Sequence, residues 1–263
     1  MSLEKIIQES FEEYRAKSKE NLSSHQLADF RKCPALYLKK KMGLIDDEDR
    51  PAFQIGRAVH TMVLEGGDVF ERTYAIGGPI NPRTGKSFGP TSQAYQEWAA
   101  QQGKPVLAQE QFELTALISA SVRNHTEARK LLADGIPEGV IRCEFQGLPC
   151  QTRMDFFNPE AGLIDLKTCD DLNYFEAEAR RFGYTYQLAF YRAILRQVTG
   201  RNYPVHLIAV EKKEPFRCGV WLISETSLNA CEIENTSAIE RLKECQATHI
   251  WPTGYETPRT FEQ

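Results

Sequence analysis

The 263-residue sequence contains no apolar run long enough to cross a membrane. Its N-terminus lacks the basic start, apolar core and small-residue cleavage site of a signal peptide. The seven cysteines are an odd number, are scattered along the chain and form no C-x-x-C pair, which disfavours a disulfide framework or a zinc ribbon. We therefore expect a cytoplasmic protein in a reducing compartment, with no membrane partner.

An excess of positive charge is also missing. Lysine and arginine total 32, whereas aspartate and glutamate total 36, so the net charge is −4. This balance excludes a polycation that coats nucleic acid non-specifically, but it allows an enzyme with a local basic groove. Short basic clusters do occur, and each alone is typical of a solvated helix or loop face: residues 31–32, 39–41, 180–181 and 212–213.

No internal repeat and no obvious linker divides the chain, and a hydrophobic content of 41% is enough for a sizeable core. We expect a helical N-terminal extension over residues 1–20 and a single domain over residues 21–263. The fold class is α/β, with a small mixed β-sheet flanked by helices. Helices are expected at 3–20, 24–41 (broken at Pro34), 52–66, 91–102, 108–134, 174–200 and 225–247, a loop at 76–91, and strands within 138–168 (three), 205–213 and 218–224.

The stretch GLIDLKTCDD, residues 162–171, ends a predicted strand with an acid and a base two residues apart. Side chains at i and i+2 point to the same face of a strand, so Asp165 and Lys167 project together. Taken alone, this D-x-K pattern is most simply an ion pair at the end of a strand. Asp155 lies near the end of the preceding strand, and a tight turn at 158–161 would set its carboxylate beside that of Asp165.

Two neighbouring carboxylates repel each other unless a cation holds them, and hard divalent ions choose oxygen ligands of this kind. With Mg²⁺ bound between Asp155 and Asp165, Lys167 could orient or help deprotonate a water and offset charge at a phosphorus centre. His60 in GRAVH lies four residues from Gly56, and Gln187 and Tyr191 in QLAFY are also four apart. Each of these residues alone has an ordinary structural interpretation: a packed or exposed histidine, a tyrosine that covers the sheet and a glutamine at its edge.

The ordered series GxxxH, RxD, DxKT and QxxxY resembles the RecB-like branch of the PD-(D/E)XK nuclease superfamily, and in particular RecE-type exonucleases and their phage relatives. The resemblance spans roughly residues 22–252 and includes GRAVH, QTRMD, LIDLKT, GYTYQLAFY and VEKKEPF. It implies a PD-(D/E)XK core and a Mg²⁺-dependent exonuclease, with Mn²⁺ as a substitute, that digests linear duplex DNA ends 5′→3′ in phage-type homologous recombination. It also implies a single-strand annealing protein as partner and a homo-oligomeric ring.

The resemblance also implies a role for each matching residue. Asp155 and Asp165, the Leu166 carbonyl and His60 correspond to metal ligands, and Lys167 to the catalytic lysine. A further acidic residue is expected on the preceding strand, where Glu138 fits better by its E-G-V-I context and Glu144 is the alternative on the same strand face. The residues implied at the DNA channel are Gln187 and Tyr191, which would also hold the lysine, and candidate phosphate contacts are Arg31, Lys32, Arg180 and Arg181.

Several RecB-like relatives carry an iron–sulfur cluster, but here Cys231 and Cys245 are not clustered and four suitably spaced thiolates are lacking. We therefore expect no cluster, and Cys33 as a small buried hydrophobic residue. Two alternatives stay open. One is a RecB-like nuclease of another context, such as CRISPR adaptation or an endonuclease, and the other is a non-catalytic DNA-binding module. Retention of both aspartates and the lysine favours an active enzyme.

Overall fold

The computed structural model describes residues 3–46 and 51–260. The described residues form a five-stranded main sheet and, apart from it, a small two-stranded parallel sheet. The helices are α1 Phe11–Lys17, α2 Ser24–Lys32, α3 Pro34–Lys41, α4 Pro51–His60, α5 Gly67–Thr73, α6 Gln93–Gln101, α7 Gln109–Asn124, α8 Thr126–Leu131, α9 Phe175–Phe182, α10 Tyr184–Thr199 and α11 Glu225–Thr248. The strands are β1 Ala75–Ile76, β2 Val106–Leu107, β3 Ile136–Phe145, β4 Leu148–Asn158, β5 Gly162–Cys169, β6 Val205–Glu211 and β7 Cys218–Leu222.

The main sheet has five strands in the order β3-β4-β5-β6-β7. Three of its four neighbouring pairs are antiparallel, and β5 and β6 are parallel. A parallel pair needs a crossover connection, which α9 and α10 provide here. This arrangement confirms the expected small mixed sheet flanked by helices.

Helices cover both faces of the sheet, so its central strands are apolar on both sides. One face packs against α2, α10 and α11 through a cluster that includes Phe30, Phe190 and Leu242. The other face packs against α4, α7 and α8, and β5 contributes Ile164 and Leu166 to that cluster. Successive side chains of a strand point to opposite faces. The Asp165 and Lys167 side chains therefore share the face that Leu163 packs into the first cluster.

The first twenty residues do not form the expected continuous helix. Ser10 begins the short helix α1 with a capping box that includes Glu13. Before it, Ile7 exchanges two backbone hydrogen bonds with Val140 of β3, at 2.9 and 2.8 Å. Because Ile7 is extended and paired with the sheet edge, the prediction of helix over 3–20 was wrong. This N-terminal segment is therefore attached to the edge strand β3 of the main sheet.

Proline and glycine set several of the helix boundaries, as the sequence predicts. Pro34 is the first residue of α3, and Gly66 ends a π-helical turn at Thr61–Glu65 that follows α4. The helix expected over 174–200 is interrupted at Gly183, whose φ of 72° and ψ of 33° end α9 and begin α10. The helix expected over 108–134 is interrupted at His125, which is extended and caps α8. Within the described residues, no helix is long and apolar enough to span a bilayer.

Candidate active site

Backbone pairing between β4 and β5 stops just before the two carboxylates that the sequence predicts as metal ligands. Its last backbone pair is Phe156 with Ile164, and continuation of the same register would place Asp155 opposite Asp165. The strands separate at this point, and the Leu166 amide donates a hydrogen bond to Asp155 Oδ2 at 2.9 Å. A side-chain oxygen thus replaces a rung of the sheet, and the gap between the strands opens beside both aspartates.

Asp165 and Lys167 form a buried ion pair on β5. Their side chains are 1% and 18% exposed, and Lys167 Nζ lies 2.5 Å from Asp165 Oδ2. Lys167 Nζ is thus the partner of Oδ2, whereas among the described residues no donor reaches the other carboxylate oxygen, Oδ1. A buried carboxylate with an oxygen that lacks a donor is poorly solvated, so it is suited to accept a cation.

The pKa values of Asp165 and Lys167 are shifted by burial and by the charge of Asp155. Burial raises the pKa of Asp165, and the charge of Asp155 raises it further, although Lys167 acts in the opposite direction. Burial alone would lower the pKa of Lys167, but the charges of Asp165 and Asp155 outweigh it and raise that pKa. The lysine is therefore cationic at neutral pH, and it partly compensates the two carboxylates.

His60 reaches this site from the last turn of α4. That helix packs close to β5, since a Cβ added to Gly56 would lie 3.5 Å from Thr168 Oγ1, an ordinary van der Waals contact. His60 Nδ1 lies 3.5 Å from Asp155 Oδ2. Burial lowers the pKa of His60, and this effect outweighs the Asp155 charge, which would raise it. The imidazole is thus neutral at pH 7, which is the form that binds metals.

Glu138, and not Glu144, lies next to Asp155. In the β3–β4 ladder, Pro137 pairs with Phe156 and Gly139 pairs with Met154, so Glu138 occupies the position opposite Asp155. Glu138 has a φ of 53°, which is uncommon for a residue with a side chain, so the strand is locally irregular here. Glu144 is exposed and pairs with Pro149 near the hairpin turn, at the other end of the strand.

The Glu138 carboxylate is held by Arg153, whose Nε donates to Oε2 at 2.7 Å. Burial raises the pKa of Glu138, and the charges of Asp155 and Glu65 raise it further. Glu65 is therefore a neighbour that the sequence pattern did not reveal. It lies five residues after His60, a spacing that an α-helix places on different faces. The π-helical turn at Thr61–Glu65 adds a residue to the turn and so brings Glu65 towards the site. The hydrogen bond of 3.1 Å from the Gly66 N–H to the Thr61 carbonyl has the i→i+5 spacing of a π-helix.

Tyr191 supports the site from within the core and does not line a channel, contrary to the expectation. Its side chain is 3% exposed, so it offers almost no surface to a ligand. The Tyr191 hydroxyl accepts hydrogen bonds from Gln187 Nε2 at 3.1 Å and from Ser24 Oγ at 3.4 Å. In the part of the chain that the structure describes, neither Gln187 nor Tyr191 hydrogen-bonds Lys167. The ring of Tyr184 covers the lysine instead, with its centroid 5.1 Å from Nζ.

The candidate phosphate contacts have different surroundings. Arg31 is a packing residue, because its guanidinium hydrogen-bonds Asn235 and lies 4.3 Å from the centroid of the Tyr186 ring. This engagement joins α2, α10 and α11, and a phosphate contact by Arg31 stays a prediction. Arg180 is 72% exposed and pairs loosely with Glu176 at 3.7 Å. Lys32 and Arg181 are also exposed.

The donor set of this site fits a hard divalent cation. No group of three or more His, Cys, Asp or Glu side chains forms a metal cluster in residues 3–46 and 51–260. Mg²⁺, however, usually binds through one or two carboxylates and keeps several waters. Asp165 supplies a buried oxygen without a donor, and Asp155 lies next to it along the register. The Leu166 carbonyl and His60 are further candidate metal ligands at this point of the sheet. They lie close together, because a hydrogen bond to the Leu166 backbone raises the pKa of His60.

Cys33 is half-buried where α2 meets α3, so it is less enclosed than the sequence suggested. All seven cysteines are free thiols.

Comparison with known proteins identifies the class of this fold. Residues 23–260 match the family described as PDDEXK-like domain of unknown function (DUF3799). The match covers most of the chain, so the chain belongs to this family, and its fold is of the PD-(D/E)XK type.

One solved structure with a similar fold is the crystal structure of a candidate exonuclease from Eubacterium rectale. It has a TM-score of 0.69 and 17% sequence identity, and the alignment covers 98% of this chain and 96% of that one. A structure of LHK-Exo in complex with dAMP aligns with 60% of this chain and 85% of that one, at 16% identity. Its TM-score of 0.31 carries no structural argument. No curated protein sequence matches the chain significantly.

Proposed function

We propose that this protein is a Mg²⁺-dependent nuclease that hydrolyses linear double-stranded DNA from its ends. The observation that carries the proposal is the buried Asp165–Lys167 pair at the point where β4 and β5 separate: one carboxylate oxygen contacts the cationic lysine, and the other has no donor among the described residues. An ion pair that only stabilised the fold would have no need of a second carboxylate and a neutral histidine at the same opening between the two strands.

The metal would be held by Asp155, Asp165, the Leu166 carbonyl and His60, with Glu138 as a further carboxylate near them. A bound Mg²⁺ would supply an acidified water and neutralise charge on the scissile phosphate, and Mn²⁺ would serve as a substitute. Lys167 is kept cationic by its two acidic neighbours, so it can orient a water and offset the negative charge that develops during attack on phosphorus. Arg180, Arg181 and Lys32 are exposed cations available to phosphates.

Finer features of the proposal depend on the resemblance to RecE-type exonucleases. These are 5′→3′ polarity, a role in phage-type recombination, a single-strand annealing protein that receives the remaining 3′ strands, and a homo-oligomeric ring. A ring would explain processive digestion, because DNA threaded through a closed assembly cannot easily dissociate. Light scattering of the purified protein measures the oligomer, and differently end-labelled duplexes measure the polarity.

The proposed function is tested with one plasmid in two forms, linear and covalently closed, incubated with Mg²⁺ and with EDTA. We expect the linear form to be degraded in Mg²⁺ only, and the closed form to be spared. Nicking or linearisation of the closed circle at a comparable rate would exclude an end-dependent exonuclease and favour an endonuclease. Absence of cleavage with both Mg²⁺ and Mn²⁺ would reject the nuclease proposal.

A further inference from the structure

An aromatic pair leads from Lys167 to the protein surface. The Tyr184 ring, which lies over the lysine, stacks on Phe182 with a centroid distance of 5.9 Å and an interplanar angle of 25°. The Phe182 side chain is 59% exposed. The guanidinium of Arg181 lies 5.6 Å from the centroid of the Phe182 ring. We refer to Phe182 and Tyr184 together as the aromatic platform.

The platform has a rigid base and an open outer surface. Its two residues flank Gly183, whose left-handed backbone conformation joins α9 to α10 and suits a residue without Cβ. Behind Tyr184 lies Phe175, with a ring centroid distance of 6.4 Å. Phe175 is 2% exposed and packs against Trp221 at 4.7 Å. Tyr184 is therefore fixed from the protein side, and the exposed part of the platform is the Phe182 ring.

Single exposed apolar residues are common on proteins and usually have no function. Phe182 differs because its ring continues a stack that ends at the proposed catalytic lysine. Its neighbour Arg181 is also unneutralised, since no carboxylate among the described residues lies within ion-pair distance of it. An open aromatic ring beside an available cation is complementary to a nucleobase and its phosphate.

The distances between Lys167 and the two rings indicate how far along a DNA strand, counted from the scissile phosphate, the platform would act. Lys167 Nζ is 5.1 Å from the Tyr184 centroid, which is 5.9 Å from that of Phe182. Successive phosphates of one strand are roughly 3.4 Å apart along a duplex axis, so the platform lies within about three nucleotides of the lysine. Bases inside a duplex are already stacked on both sides. A terminal paired base has only its outer face open, in the direction of the duplex axis, whereas an unpaired base can turn its ring towards Phe182.

We propose that the aromatic platform binds an unpaired nucleobase of the DNA substrate close to the scissile phosphate, and that Arg181 contacts a phosphate next to it. This inference rests on the proposed nuclease function and specifies its substrate class: DNA ends whose terminal bases are unpaired. The enzyme would thus bind frayed or single-stranded ends in preference to blunt, fully paired ends.

The test uses a duplex oligonucleotide with a short single-stranded extension that carries 2-aminopurine, whose fluorescence is quenched by stacking. Binding is measured in EDTA, so that no cleavage intervenes, and Mg²⁺-dependent cleavage is measured separately. The variants are Phe182→Ala, Phe182→Leu, which keeps an apolar side chain without a ring, and Phe182→Trp. The control is Tyr255→Ala, because Tyr255 is 75% exposed and also carries an arginine, Arg259, over its ring at 4.3 Å.

We expect the wild type and Phe182→Trp to quench the probe. Phe182→Ala and Phe182→Leu should lose the quenching and bind the extended end about five- to a hundredfold more weakly, as expected for loss of base–aromatic stacking. Tyr255→Ala should behave as wild type, and circular dichroism verifies that each variant is folded. Unchanged quenching in both ring-less variants, or none in the wild type, overturns the platform. Cleavage by the wild type would then still support the nuclease, whereas its absence would reject the nuclease itself.

Discussion

Asp155 Oδ2 accepts a hydrogen bond from the Leu166 amide at 2.9 Å, at the position where the next rung of the β4–β5 ladder would lie. The same oxygen lies 3.5 Å from His60 Nδ1. Asp155 thus has two separable functions in this structure. Its carboxylate completes the backbone hydrogen bonding of β5, and it also supplies negative charge to the site. Substitutions can remove the charge while they keep the hydrogen bond.

Asp155→Asn and Asp165→Asn should each reduce Mg²⁺-dependent cleavage of linear DNA by about 10²- to 10³-fold, since several kcal/mol of metal-dependent stabilisation are lost. The asparagine oxygen at position 155 can still accept the Leu166 amide, so the Tm should change little. Asp155→Ala should additionally lower the free energy of unfolding by about 1–3 kcal/mol, because that amide loses its partner. Cleavage assays and urea denaturation measure the two effects.

The matched control is Glu144→Gln, which removes an exposed carboxylate at the far end of β3. Its activity should equal that of the wild type. If Asp155→Asn or Asp165→Asn retained near-normal activity, the site would be wrongly assigned.

Lys167→Met should reduce cleavage by about 10²- to 10⁴-fold while binding to duplex ends is retained, because the charge that offsets the transition state is lost. Loss of DNA affinity by the same factor would instead make Lys167 a phosphate anchor. Cleavage rates and fluorescence anisotropy with a labelled duplex distinguish these results.

The same variant should show a pH-dependent loss of stability. The pKa of Asp165 is raised above its ordinary value by burial, so the folded state prefers the protonated acid and loses stability as pH rises through that pKa. Lys167 offsets this loss in the wild type. The Tm deficit of Lys167→Met should therefore be larger at about pH 8 than at about pH 5. An equal deficit at both values would show that the carboxylate is not the cause.

His60→Ala should raise the Mg²⁺ concentration required for half-maximal cleavage by about tenfold or more, because a donor at the metal site is removed. Saturating Mg²⁺ should restore part of the activity. The control is His249→Ala, which removes an exposed histidine at the end of α11. A metal titration of His60→Ala that overlays the wild-type curve would return His60 to a packing function.

Glu211→Gln should lower the free energy of unfolding by about 1–2 kcal/mol at neutral pH, because Glu211 accepts charged hydrogen bonds from the partly exposed Arg217. Those bonds lower the pKa of Glu211 from 4.5 to about 2. The stabilisation is complete above pH 4.5 and is lost as pH falls towards 2. Urea denaturation across this range should show the wild-type advantage shrinking with acidification, and an advantage independent of pH would contradict the pairing.

The sequence by itself determined the features that depend on neighbours along the chain. The period of two along a strand sets Asp165 and Lys167 on one face. Pro34 begins α3 and Gly66 ends the π-helical turn because of their backbone chemistry, and the spacing of the apolar runs predicts the mixed sheet. The placement of His60 near Asp155 also agrees with the expectation, although a Cβ at Gly56 would make only an ordinary contact with β5, so the glycine is not required for it.

Only the tertiary structure decided the features that depend on register and on helix packing. The E-G-V-I context favours Glu138 without excluding Glu144, and the β3–β4 register sets Glu138 opposite Asp155. Tyr191 is enclosed in the core, and Arg31 is partly buried because its guanidinium hydrogen-bonds Asn235 of a helix distant in the chain. Glu65 approaches Glu138 of β3 because one turn is π-helical. Contacts of this kind are set by how elements distant in sequence pack together, and the periodicity of a single element does not encode them.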